Sequence, residues 1–206
     1  MKPEYWDRAK RALARRDPVM GAIMRRHPRV YMTVRGEPFM TLARAICGQQ
    51  ISVKAAQSVW NRVCICLDQS ITPEAVIAQD RKKLRACGLS DRKTEYIADL
   101  AQHFADGRIH ARDWPRMADE EIIAELTDVR GIGRWTAEMF LMFNLLRPDV
   151  FPLDDLGLQK AIRVSYFRKR AVSLKTMKKL GETWRPWRSV ATWYLWRSLD
   201  PVPVEY

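Results

Sequence analysis

The chain has 206 residues, 47% hydrophobic and 29% charged, and its 36 Lys and Arg outnumber 24 Asp and Glu to give a formal net charge of +12. That length is ample for a core in one domain or two small lobes, and the composition is that of a soluble globular chain. No stretch approaches the roughly 18 apolar residues of a membrane span, and the opening M-K-P-E-Y-W-D-R lacks the apolar core of a signal segment. Much of the positive excess is arginine, whose planar fork suits phosphate, so a polyanion is the expected partner and nucleic acid the commonest of these. The four cysteines (47, 64, 66, 87) and three histidines assemble no zinc spacing. The expectation is reduced thiols, no metal and a cytoplasmic location.

In chain order nearly every segment reads as helix. Asp17-Pro18 is a cap followed by proline at the first helical position, opening a run that ends near His27-Pro28. A short apolar stretch, residues 30–34, is the one candidate strand. Pro38 starts a helix that puts Phe39, Leu42, Ala43, Ile46 and Cys47 on one face. Ser52, Thr72 and Ser90 are the expected caps of three more. The run from Ser90 is amphipathic through Tyr96, Ile97, Leu100, Ala101 and Phe104 and stops at Asp106-Gly107. A helix over 118–126 leads into a glycine turn. The helix after it, expected over 134–146, is apolar almost all round and belongs in the interior. A basic segment over 163–188 precedes a tryptophan-rich helix around 193–199. The predicted fold is all-α with short connections and no flexible linker.

The most informative stretch is L-T-D-V-R-G-I-G-R-W-T-A at 126–137, followed by F-P-L-D-D at 151–155. Gly131 and Gly133 admit backbone conformations closed to other residues and leave the first amides of the next helix bare, a ready anion site. Arg134 and Thr136, in that helix's first turn, could add phosphate contacts, which fix register without reading sequence. The bland reading of the same residues is a simple tight turn. Asp154 and Asp155 likewise admit two readings. One of the pair is expected to cap the helix that follows, and a carboxylate there could also stabilise a sugar cation as its base departs.

In these motifs the chain resembles the helix-hairpin-helix DNA glycosylase superfamily. G-I-G-R-W-T-A, I-C-G-Q-Q-I-S-V-K-A-A at 46–56 and W-R-P-W-R-S at 184–189 are most similar to its 3-methyladenine DNA glycosylase II branch. The resemblance implies two helical lobes flanking a DNA-binding cleft, here about 36–150 with the hairpin, and 1–35 plus 151–206. It implies Asp155 as the catalytic aspartate, with Asp154 as the cap or a neighbour. It places Gly131 and Gly133 on the phosphate-gripping hairpin, Gln50 as the side chain that fills the gap left by a flipped nucleotide, and Trp135 and Trp196 in the base pocket. Trp135 stands where strand-cleaving relatives carry a lysine nucleophile, and an indole forms no Schiff base, so a monofunctional hydrolase is implied. Arg130 replaces a common proline, and Met139 an aromatic residue. No cysteine lies beyond Cys87, so no iron–sulfur cluster is expected, while a monovalent cation in the hairpin is compatible with the family.

The implied reaction is base excision repair of alkylated purines such as 3-methyladenine and 7-methylguanine, by a monomer acting on damaged double-stranded DNA in the cytoplasm. A non-catalytic DNA-binding module and a glycosylase for other damaged bases are the competing readings.

Overall fold

The computed structural model describes residues 2–199, and these are helical and free of strands. Twelve helices are present among them: α1 Trp6–Arg16, α2 Pro18–Arg26, α3 Pro38–Gly48, α4 Val53–Cys66, α5 Pro73–Ala78, α6 Arg81–Ala86, α7 Asp91–Ala105, α8 Asp119–Asp128, α9 Arg134–Phe143, α10 Leu156–Tyr166, α11 Leu174–Glu182 and α12 Arg188–Leu199. The predicted caps act as such. The side chains of Asp17, Ser52, Thr72 and Ser90 accept from the amides of Met20, Ala55, Ala75 and Lys93, each satisfying a donor that the helix cannot. Residues 30–34 pair with no strand, which corrects the one strand expectation. None of the helices is long and apolar enough to cross a membrane.

The described residues divide into two compact units, one of residues 35–140 and the other of residues 2–34 and 141–199. The second boundary falls inside α9, ten residues before the position suggested by the resemblance. Residues 147–150 are tied into the latter unit. The Ser189 hydroxyl donates to the Arg147 carbonyl at 2.6 Å and accepts from the Val150 amide at 2.9 Å, while Arg188 grips Asp149. The helix predicted to run to Leu146 ends at Phe143. Leu146 takes a φ of 52° and the Arg147 amide bonds back to the Leu141 carbonyl at 2.9 Å, closing the end as a left-handed turn before Pro148.

Each unit has its own aromatic core. In residues 35–140, Phe39, Phe104, Trp114 and Phe140 form a chain of edge-to-face rings with centroids 5.2–6.5 Å apart. The other unit buries Trp6, Leu13, Met20, Ile23, Met32, Trp184, Tyr194 and Leu195. Each large apolar side chain so buried contributes about 1.5–3 kcal/mol. All four cysteines are free thiols, and burial pushes the Cys47 thiol up to about 12.

Candidate active site

The hairpin belongs to the first of these units. Helix α8 ends as the Val129 amide reaches the Leu126 carbonyl, and the Ile132 amide then turns back to the Val129 carbonyl at 3.1 Å, with both apolar side chains buried. The two glycines have different reasons to be glycine. Gly131 has a φ of 85°, and a Cβ there would come within 2.1–2.6 Å of the Tyr96 ring. Gly133 lacks that left-handed conformation, and a Cβ on it would meet nothing within 4 Å. The fold demands the first and leaves the second open to whatever approaches. The backbone amides of Gly131, Gly133 and Arg134 make no hydrogen bond among the described residues, so three donors stand together at the positive end of α9.

Two side chains from outside the hairpin hold this turn. Gln49 Nε2 donates to the Gly131 carbonyl at 2.8 Å. Asp99 on α7 accepts from the Arg130 amide at 2.9 Å and pairs with the Arg130 guanidinium at 3.2 Å. Partial burial would raise the Asp99 carboxyl, and the two bonds from Arg130 override it and bring it below its ordinary range. Arg134 reaches away from the amides. Its guanidinium meets Glu120 at 2.6 and 2.9 Å and Glu138 at 3.1 Å, so the predicted phosphate contact is already engaged with carboxylates. Thr136 sits half-buried in the first turn of α9, and Trp135 beside it is 36% exposed. Gln50 is exposed with a φ of 57°, at the tip of the turn between α3 and α4.

Asp155 lies in the other unit, and here one expectation is corrected. The N-cap of α10 is Asp155 rather than Asp154, because the helix begins at Leu156 and only Asp155 is in register to reach the Leu158 amide, at 2.5 Å. Asp154 is exposed. The same Oδ1 of Asp155 accepts the Trp196 indole N–H at 2.9 Å. Gly157 makes room for the arrangement, since a Cβ there would stand 3.1 Å from Oδ1 and 3.6 Å from the indole nitrogen. Trp196 is half-buried with its ring stacked on Phe143, centroids 6.0 Å apart. The loop before Asp155 is pinned as well: the Asp155 amide bonds to the Pro152 carbonyl, Gln159 holds the Leu153 carbonyl, and Phe151 packs edge-on against Trp184.

Of the eight tryptophans, six are buried, and the two singled out by resemblance, Trp135 and Trp196, are not. Sequence reasoning missed Gln49, Tyr96, Asp99 and Glu120. The sequence pattern places Tyr96 on an amphipathic face and Gln49 within the I-C-G-Q-Q-I segment, but their partner Gly131 is tens of residues away. Nothing local announces such a contact.

Residues 43–186 match the family described as HhH-GPD superfamily base excision DNA repair protein. The chain belongs to that superfamily. Among its relatives, DNA-3-methyladenine glycosylase 1 of Schizosaccharomyces pombe is 37% identical over 165 residues, which is 79% of this chain and 72% of the relative. Among solved structures, DNA-3-methyladenine glycosidase from Bacillus halodurans superposes with a TM-score of 0.85 at 32% identity, over 92% of this chain and 87% of that one. The 3-methyladenine DNA glycosylase of Schizosaccharomyces pombe, solved in complex with abasic DNA, superposes with a TM-score of 0.80 at 32% identity, over 96% and 100%.

Proposed function

We propose that this protein is a monofunctional DNA glycosylase that hydrolyses the N-glycosidic bond of alkylated purines, 3-methyladenine and 7-methylguanine, in double-stranded DNA. One observation carries this reading: in a chain of this superfamily, Asp155 is fixed at the start of α10 by the Leu158 amide and the Trp196 indole. An aspartate held by two donors on one oxygen cannot swing away as charge develops beside it, and preorganisation of that kind is what stabilises a transition state.

The grip falls to the hairpin. The amides of Gly131, Gly133 and Arg134, at the positive end of α9, suit a backbone phosphate that approaches through the open side of Gly133. Thr136 is close enough in sequence to add its hydroxyl. The hairpin carbonyls, Val129 and Gly131 among them, would be the groups to hold a monovalent cation, which would supply positive charge for the phosphate. Gln50, exposed at its turn, fills the stack once the damaged nucleotide leaves it. Trp135 and Trp196 offer electron-rich rings to a cationic purine.

The chemistry then asks little of the protein. A methylated purine already carries positive charge, so the bond from C1′ to the ring nitrogen breaks with its electron pair returning to the base, which leaves neutral. The sugar becomes oxocarbenium-like, Asp155 stabilises it, and water adds to C1′ and gives up one proton. No amine is needed at position 135, and the indole there supplies none.

The test is release of free base from methylated duplex by wild-type protein and by Asp155→Asn. Asparagine caps a helix as well as aspartate does, so the variant should fold. Base release should fall to background while affinity for duplex is unchanged or tighter. Turnover near wild type in the variant would remove Asp155 from its role.

A further inference from the structure

Helix α7 carries a stripe of three side chains, one turn apart, that fasten two distant segments. Lys93 Nζ donates to the Cys47 carbonyl at the end of α3 at 2.8 Å, Tyr96 packs against Gly131, and Asp99 holds Arg130. One end of this stripe therefore supports the turn that presents Gln50, and the other supports the hairpin. Gln49 closes the loop directly. Its backbone immediately precedes Gln50, and its carboxamide donates to the Gly131 carbonyl, 82 residues along the chain. The left-handed backbone of Gln50 sends the two neighbouring glutamines apart, Gln50 to solvent and Gln49 to the hairpin.

We infer that Gln49 is a positioning residue that links the strand grip to the stack-filling side chain, so that a phosphate seated on the hairpin amides fixes Gln50 and a seated Gln50 fixes the hairpin. The inference rests on the reading of Gln50 and the hairpin given above. Its physical basis is rigidity. The Gly131 carbonyl lies in the chain between the amides of Gly131 and Gly133 that a phosphate would engage, and the Gln49 hydrogen bond is a direct polar tie from it to the α3–α4 turn. With that tie in place, ordering one segment prepays part of the conformational entropy of ordering the other.

The experiment is a double-mutant cycle on the full chain, with Gln50→Ala and Gly133→Ala, and affinity for a duplex containing an abasic site as the readout. The cycle is run with Gln49 present and again in a Gln49→Met background, which keeps the size of the side chain and removes the donor. With Gln49 present, the two losses should combine to less than their product; with methionine they should simply multiply. Gln49→Met alone should weaken binding about fivefold to tenfold, the range of one neutral hydrogen bond, with a thermal midpoint close to wild type. Fluorescence of 2-aminopurine beside the lesion should report less complete unstacking.

The same interaction in both backgrounds, or none in either, overturns the proposal. Where methionine perturbs the fold, Gln49→Asn, one methylene too short to reach Gly131, replaces it. Unfolding of both variants would assign Gln49 to the framework alone and also overturn it. Because the readout is binding to abasic duplex, it is separate from base release. A chain that removes no methylated base but shows the cycle loses its proposed reaction and keeps this linkage.

Discussion

Residues 35–140 contain 15 Lys and Arg against 15 Asp and Glu, whereas residues 2–34 and 141–199 contain 21 against 7. The unit that holds the hairpin is therefore neutral, and the unit that holds Asp155 carries the whole positive excess. In the neutral unit the arginines nearest the hairpin face carboxylates: Arg130 meets Asp99, and Arg134 meets Glu120 and Glu138. What it offers an anion is backbone dipole. The basic unit behaves differently. Arg168, Lys169, Arg170, Lys175, Lys178 and Lys179 are exposed and form no ion pair among the described residues. Backbone amides act at hydrogen-bond range and demand exact placement, while side-chain charge acts over about a Debye length and is dulled by salt. The comparison separates where a phosphate would be seated from what would draw the duplex in.

The largest effect should come from the glycines, because they tell apart a residue the fold needs from one a ligand needs. Gly131→Ala forces a side chain into a left-handed backbone and onto Tyr96. It should lower stability by about 2 kcal/mol or more, a fall of several degrees in thermal midpoint. Gly133→Ala faces open space, and its stability should stay close to wild type. Its affinity for duplex should nevertheless drop, since the added methyl stands where the strand would approach. If calorimetry shows both variants equally unstable, or Gly133→Ala binds like wild type, the seating role of the neutral unit falls.

How much of this could be read from the chain follows from the range of each determinant. Caps and turns are local, and Asp17, Ser52, Thr72 and Ser90 act where the sequence predicts them. The hairpin and Asp155 were visible because a short motif carries them. The choice between Asp154 and Asp155 as cap depended on helix register to a single residue, which patterning does not resolve. The engagement of Arg134 by Glu120 depends on two helices meeting, as does the support of Gly131 by Gln49 and Tyr96. Trp196 was legible as an aromatic ring at a pocket position, but its hydrogen bond to Asp155 was not, because the two lie 41 residues apart.

That bond gives the next largest prediction, and it bears on the basic unit. Trp196→Phe keeps an aromatic ring to stack on Phe143 and removes the N–H that Asp155 Oδ1 accepts. Asp155 keeps its cap on Leu158 but loses the indole donor to Oδ1. Single-turnover base release should slow by about tenfold to a hundredfold, the rate equivalent of one hydrogen bond to a charged group, with duplex affinity little changed. A loss in affinity at unaltered rate would instead make Trp196 a stacking surface and remove its indole from the positioning of Asp155.

The smallest effect on base release, and the one that sharpens the comparison most, concerns α11. Lys175, Lys178 and Lys179 lie within five residues on an exposed helix, and Gly181 at its far end packs against Phe151, so the helix is joined to the loop that leads to Asp155. Replacing the three lysines together with glutamine removes charge while keeping side-chain length. Each lysine that neutralises a phosphate contributes about one to the slope of log affinity against log salt, so the triple variant should lose up to about three. Base release at saturating protein should hardly change, because the amides of the neutral unit do not depend on these charges. Affinity for duplex should be weaker than wild type near 50 mM salt, and the two proteins should draw together by about 200 mM, because wild type weakens more steeply. A slope equal to wild type would mean that this charge is solvated surface, and that the positive excess of the second unit acts elsewhere, on α1, α2 and the turn after α2, where Arg11, Arg15, Arg25 and Arg29 are exposed and likewise form no ion pair among the described residues.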